Sequence, residues 1–349
     1  KLFLSSLLCT SFVSFDIILQ YITGFDLFGF KNEWKYNPGP FRNEFIASTY
    51  LKNFSFFSFF YIFENYKNKN YRKPLLIFVI ILNTTGILLA GNRMPMVLFL
   101  FGYFLIILLV KNLRFVMFVS LIIFSSIFFI IIENDKILKQ NYARFLGDIN
   151  IPEAYKIIKN TIKNNNLQNE ASSKVDTGES TSILEYNAPT SPRDILFLRN
   201  SHYNRVFRTA VEIWKERPLT GFGLKSFRIK CWNVLDKDNI KRKISKKPQY
   251  IVCAHHAHNY YLEFLSEAGI IGTSLLVAFF LILLKDSFYY LKKYNRGISS
   301  EVNLLIPVII IFFLEIWPIR SAGSFFTTWG ATFFWLNIGL LIAYISKKT

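Results

Sequence analysis

Apolar positions in this chain gather into long runs separated by short polar links. Eight runs stand out, at about Leu2–Ile22, Phe45–Phe63, Leu75–Ala90, Pro95–Val110, Phe115–Ile132, Tyr260–Leu284, Leu304–Trp317 and Phe325–Ile345. Each approaches the length of about 20 residues at which an α-helix crosses the hydrocarbon core of a bilayer. The third and fourth are short and are expected to be tilted or broken. The pattern predicts an all-α integral membrane fold, a polytopic helical bundle of about eight spans with one large loop outside it.

The charges in the links orient that bundle. Lys67, Lys69, Arg72 and Lys73 separate the second and third runs, and Lys111 and Arg114 the fourth and fifth. Lys285, Lys292, Lys293 and Arg296 follow the sixth, and Lys347 and Lys348 the last. All four groups fall on one side if the chain crosses eight times, and the positive-inside rule makes that side cytoplasmic. The opposite side receives Thr23–Glu44, a turn at Gly91–Met94, the segment Glu133–Ala257 and a turn at Arg320–Ser324. This divides the chain into a five-span bundle (residues 1–132), an extracytoplasmic loop domain (133–257) and a three-span bundle (258–349).

The loop, at about 125 residues, has the size of a small domain. Its stretch Asn164–Pro192 is polar and expected to be loosely packed. Arg205–Glu216 reads as a helix with Val206, Ala210, Ile213 and Trp214 as its apolar stripe, ended by Pro218. Cys231 and Cys253 both fall in the loop. They either pair in an oxidising compartment or remain two unrelated thiols.

Composition agrees with a membrane class. The chain is 52% hydrophobic and 18% aromatic, and its mean hydropathy is +0.29. The formal charge of +18 would suggest nucleic acid in a soluble protein. Here the basic residues lie in links and in the loop, so topology accounts for much of the charge, and no nucleic-acid partner is expected. No metal-ligand cysteine spacing occurs, and no metal or cofactor is expected. The chain starts at Lys1 and not Met, and reads as a fragment that lacks an N-terminal part.

Candidate chemistry lies on the outer side. Arg93, at the mouth of the fourth run, either snorkels to headgroups or grips an anion. Arg205 and Arg208 lie on adjoining parts of one helical surface, which is either a solvated face or a cationic site. Gly221 and Gly223 permit a tight turn after Pro218; Gly-x-Gly is only a weak sign of phosphate binding without a strand–helix context. In HHAHNYYLEFLSEAGIIG, from His255 to Gly272, helical spacing would put His258, Leu262, Leu265, Gly269 and Gly272 on one face, with the glycines admitting a neighbouring helix. Glu267 would point the other way and brace neighbouring helices. His258 is then either an amphipathic anchor at the membrane boundary or a working imidazole. Pro318 and Gly323 interrupt the helix path near the last run, and Arg320 is expected to anchor at the interface. Asp16, inside the first run, is an ionisable group at membrane depth with no evident partner.

These segments, in this order, resemble the O-antigen ligase and polysaccharide polymerase family over nearly the whole chain. The resemblance rests on an arginine in a turn between spans (Arg93), on Arg205 followed by PLTGFGLKSF, and on HAHNYYLEFLSEAGIIG. SFDIILQYITGFDLFGF and FRNEFIASTYL are similar to the family's earlier segments. The strongest match is His256-x-His258-Asn259 with Glu267, Gly269 and Gly272. The chain departs from the pattern at Asn92, where the family usually has Ser, and at Thr209, where it often has Trp. It also shows fewer spans than the family's usual dozen.

The resemblance implies a fold similar to membrane glycosyltransferases of the GT-C type, in a bacterial inner membrane, with the loop in the periplasm. It implies transfer of a glycan from undecaprenyl diphosphate to a sugar hydroxyl, on lipid A–core for a ligase or on another lipid-linked glycan for a polymerase. Arg93 and Arg205 would hold the diphosphate, and His258 would be the base, with His256 in reserve. Asn259, Glu267, Gly221, Gly223 and Arg320 would support the site. The transfer would invert the anomeric centre without a metal, and membrane lipids would surround the protein. A transporter or flippase is the alternative of another class, favoured by Asp16 and Arg93 and disfavoured by the large basic loop.

Overall fold

The computed structural model describes residues 1–32, 36–42, 44–148, 202–245, 251–294, 301–321 and 323–346. The stretch Asn164–Pro192 and the link residues Arg296, Lys347 and Lys348 lie outside the described residues. The described helices are α1 Leu2–Thr23, α2 Ala47–Asn65, α3 Arg72–Leu89, α4 Arg93–Leu109, α5 Arg114–Asn134 and α6 Lys136–Asp148. They continue as α7 His202–Glu216, α8 Phe227–Ser245, α9 Tyr260–Tyr294, α10 Glu301–Glu315 and α11 Thr328–Ser346. Strand pairing among the described residues is confined to an isolated bridge, Phe25 with Lys31.

Each apolar run of the sequence is a helix. Five are long and apolar enough to cross a membrane: Leu2–Thr23, Arg72–Leu89, Lys111–Asn134, Tyr260–Lys292 and Thr328–Ser346. Arg93–Leu109 and Leu304–Glu315 are apolar but shorter. The remaining one, α2, is 19 residues long and carries Lys52 and Asn53. The chain is thus an all-α polytopic membrane protein. It divides into two compact units: Lys1–Asn141 with Leu275–Arg320 and Phe326–Thr349, and Tyr142–Ser274 with Ser321–Phe325.

In the first unit, α2 packs against α1, α3, α4 and α10. Helices in lipid gain little from hiding apolar surface from one another, so close backbone approach and polar contacts hold them instead. Both devices occur here. A β-carbon on Gly86 would stand 2.8 Å from Ser14 Oγ, and one on Gly102 would stand 2.6 Å from Phe56 Cζ. A buried polar chain ties α1, α2 and α3 together. Ser14 donates to Asn83 Oδ1 at 3.0 Å, Asn83 Nδ2 donates to Thr10 Oγ1 at 3.2 Å, and Thr10 meets Ser58 Oγ at 3.0 Å.

The same unit buries an ion cluster. Lys52 of α2 is hydrogen-bonded and ion-paired to Glu315 at the end of α10. Arg320 Nη1 lies 2.8 Å from the other oxygen of Glu315, and it also donates to the carbonyls of Leu314 and Glu315. The expectation that Arg320 anchors at the interface is therefore corrected: its side chain is only 7% exposed, because a carboxylate five residues back draws it into the bundle. Asp16 is also buried, and it has a partner that spacing along a helix could not supply. Its Oδ1 accepts the backbone N–H of Leu27 at 2.6 Å, from the loop that follows α1.

Candidate active site

The described part of the second unit has a small core of its own. The apolar stripe of α7 contributes Val206, Ala210 and Ile213, and α8 contributes Phe227, Cys231 and Val234; Ile251 and Ala257 complete it. Trp214 departs from the expected stripe. Its indole lies outside that buried set and donates to the carbonyl of Pro218 at 3.0 Å, closing the end of α7. Cys231 and Cys253 are joined by a disulfide, with their Cα atoms 5.2 Å apart. Thr209 helps to fix the same segment. Its hydroxyl donates to the Val252 carbonyl at 2.8 Å, and the Val252 N–H returns to it at 3.3 Å.

The loop after α7 is fastened to the first turns of α9. Gly221 and Gly223 both have left-handed backbones, with φ 64° and 96°. A β-carbon on Gly221 would run into the backbone of Glu267. The loop amides are taken by protein carbonyls. Gly221 N–H donates to Arg217, Phe222 N–H to Ser266, and Gly223 N–H to Glu267, at 3.1, 3.3 and 2.8 Å. The Gly-x-Gly turn is therefore a structural junction and not an open phosphate cradle. Glu267 completes it: its carboxylate accepts the N–H groups of Lys225 at 2.6 Å and Phe227 at 3.2 Å. It braces the loop and the start of α8, where neighbouring helices had been expected.

The expected helical face of His258 is overturned. Helix α9 begins at Tyr260, so His258 precedes it, with a left-handed φ of 55°. Gly269 does not continue a smooth helix either. Its φ of 66° and ψ of −169° break the path, in a region essentially restricted to glycine. The space beside it holds the backbone of Leu219, which a β-carbon would strike. Gly269 thus admits the Gly-rich loop instead of another helix, and the Ile270 N–H donates to the Pro218 carbonyl at 2.9 Å.

Three ring side chains meet in front of α9. The His258 ring lies 4.1 Å from that of His256 and 5.2 Å from that of Tyr203, edge to face with the tyrosine. Asn259 is the cap of the helix. Its Oδ1 accepts the N–H groups of Tyr261 at 3.1 Å and Leu262 at 3.2 Å, the amide donors that a helix start leaves unpaired. One turn on, buried Glu263 accepts Ser324 Oγ and, at 2.7 Å, the N–H of Phe325. The rings of Tyr260 and Phe264 close on Phe325 at 5.1 and 5.0 Å. His255 is exposed.

Arg205 sits two residues beyond Tyr203, half-buried in the first turns of α7. Arg93 belongs to the other unit. It opens α4, and its guanidinium donates to the Asn141 carbonyl at 3.3 Å. Among the described residues no three His, Cys, Asp or Glu side chains gather as metal ligands. The histidine pair offers ring nitrogens beside an aromatic ring.

Sequence reasoning missed Tyr203, Glu263 and the Lys52–Glu315 pair. Lys52 and Glu315 did carry a signal, since each is a charged residue in or at the edge of an apolar run. Tyr203 and Glu263 carried none, because their partners are remote in sequence. The O-antigen ligase family model matches residues 77–277. That match includes Arg93, Arg205, the Gly221 turn and the whole stretch from His256 to Gly272, and it leaves out Asp16, Lys52, Glu315 and Arg320. A search of characterised proteins found no match.

Proposed function

The chain belongs to the O-antigen ligase family, glycan-transferring enzymes of bacterial polysaccharide assembly, and on that premise we propose that it moves a glycan from undecaprenyl diphosphate to a sugar hydroxyl of lipid A–core. The reaction takes place at the outer surface of the inner membrane, with residues 133–257 in the periplasm. The observation that carries the reading is His258, a histidine held in a left-handed backbone next to a capped helix, against His256 and Tyr203.

The acceptor oxygen attacks the anomeric carbon as the bond to the diphosphate oxygen breaks. The acceptor proton passes to a ring nitrogen of His258, and the lipid diphosphate leaves with the bonding electrons. Attack opposite the leaving group inverts the centre. The charge that develops on the diphosphate requires fixed cations, and arginine pairs with phosphate oxygens two at a time while staying ionised. Arg93 and Arg205 take that role, so the chemistry needs no metal. Asn259, Gly221, Gly223 and Glu267 support the histidine segment and its loop. Arg320 is ion-paired to Glu315 within the first unit.

The test uses the purified chain with lipid-linked glycan and two acceptors, lipid A–core and a second lipid-linked glycan. Product on lipid A–core is expected. His258→Ala should lower turnover by about a hundred-fold or more with donor binding nearly unchanged. Arg93→Ala and Arg205→Ala should weaken donor binding, turnover or both. Product on the lipid-linked acceptor alone would make the protein the polymerase of the same family. Full activity in the double substitution at His256 and His258 would sink the histidine mechanism.

A further inference from the structure

Helix α8 has two apolar faces, and only one of them is covered. Phe227, Cys231 and Val234 point into the core of the second unit. At about 100° per residue, Ile229, Trp232 and Ile240 fall together on the opposite side. They are 64%, 59% and 62% exposed. Leu224, just before the helix, is 64% exposed as well. Among the described residues, nothing covers these large apolar side chains grouped on one face, with a tryptophan among them.

The charges bordering this face are mostly cationic, with Lys237 paired to Glu216 at 2.6 Å. Arg228 flanks it on one side, and Lys230 and Lys237 flank it on the other. The last turns of the same helix carry Lys241, Arg242 and Lys243. Asp236 lies within the face and is exposed, so the face suits a shallow seat at headgroup depth and not burial among acyl chains. An amphipathic helix with a tryptophan and aliphatic anchors between rows of lysine and arginine matches the boundary of an anionic bilayer.

We propose that the outer face of α8, through Ile229, Trp232 and Ile240 with its flanking cations, docks on the anionic phospholipid surface of the membrane that the bundle spans. The helix lies along the surface, with its apolar side chains at the level of the upper acyl carbons and its cations among the phosphates. The disulfide from Cys231 to Cys253 fastens the same helix to the segment that leads into His256 and His258. Docking of α8 therefore fixes the height of the histidine segment above the bilayer. This surface role does not depend on which glycan acceptor the protein uses.

The experiment uses the full chain in nanodiscs that contain phosphatidylglycerol or only phosphatidylcholine, with lipids brominated near the headgroup end of the acyl chain. The chain has six tryptophans, so the Trp232 signal is taken as the difference between the protein and its Trp232→Phe variant. That difference should be quenched in phosphatidylglycerol discs, and the quenching should weaken as salt rises, because exposed ionic contacts are screened. The Arg228→Glu/Lys230→Glu variant should lose most of the quenching while keeping its helix content. A Trp232 signal that stays unquenched in both kinds of disc would overturn the proposal. Equal, salt-insensitive quenching in phosphatidylcholine would overturn the assignment to anionic lipid.

Discussion

Glu315 in the bundle and Glu263 and Glu267 in the second unit are buried carboxylates satisfied in contrasting ways. In the bundle, Glu315 is answered by two cations, Lys52 from α2 and Arg320 from the turn beyond α10. In the second unit, Glu263 and Glu267 are as deeply buried, yet their hydrogen bonds come from backbone N–H groups of Lys225, Phe227 and Phe325 and from the Ser324 hydroxyl. The difference follows from what each unit must satisfy. Helices already close their own backbone bonds, so a buried carboxylate set among helices, as Glu315 is, is met by other charges, whereas Asp16 of the same unit faces a loop and takes the Leu27 N–H. The second unit contains irregular turns whose buried amides need acceptors, and a carboxylate supplies two oxygens for them. Charge links helices around Glu315 and shapes loops around Glu263, Glu267 and Asp16.

The largest effect should come from breaking the ion cluster. Glu315→Gln leaves the Lys52 and Arg320 cations buried without their carboxylate, which should cost about 3–5 kcal/mol. Lys52→Met should cost less, because Arg320 remains to meet Glu315. Unfolding of both variants by sodium dodecyl sulfate in mixed micelles gives the two values. Equal losses would mean that Glu315 is not the hub of the cluster.

A smaller and more local effect is expected at Glu267. Replacing it with Ala leaves the N–H groups of Lys225 and Phe227 without their acceptor, a loss of about 1.5–3 kcal/mol for hydrogen bonds to a charged group. The change should appear as faster hydrogen exchange at Lys225 and Phe227 and through the Gly221 turn, with the bundle amides unchanged. Glu267→Gln keeps one carbonyl oxygen and should lie between. Exchange that quickens across α1 to α4 as well would contradict the division of labour between the units.

The same contrast explains what could be read from the sequence. An apolar helix is encoded by its own residues, so the run from Leu2 to Ile22 is the helix Leu2–Thr23 and the run from Pro95 to Val110 is the helix Arg93–Leu109. The Val206, Ala210 and Ile213 stripe was legible for the same reason. The site's parts were legible as motif residues but not as geometry. Treating His258 as part of α9 ignored the cap at Asn259, which places the helix start two residues later. Treating Gly269 as a helix contact ignored the loop from Pro218 to Leu219 that lies beside it, a neighbour fifty residues away in sequence. For Arg320, position relative to a span indicates depth, but its partner Glu315 decides where the side chain goes.

The smallest expected effect lies at the cap itself, and it connects the two readings of the histidine segment. Asn259→Ala removes the acceptor for the Tyr261 and Leu262 amides, and losing a cap costs about 1 kcal/mol. The residue before it already has an unfavourable backbone, since a left-handed φ in a residue other than glycine costs roughly 1–2 kcal/mol. The start of α9 is then the place where local fraying releases strain, and fraying there unseats His258 from His256 and Tyr203. If the whole 1 kcal/mol is felt at the site, single-turnover rates should fall by about five-fold. Ser caps helices as well as Asn does, so Asn259→Ser should retain nearly the full rate. A normal rate in Asn259→Ala would show that the cap does not hold the histidine. A slow rate in both variants would assign the Asn259 amide a contact with substrate in addition to the cap.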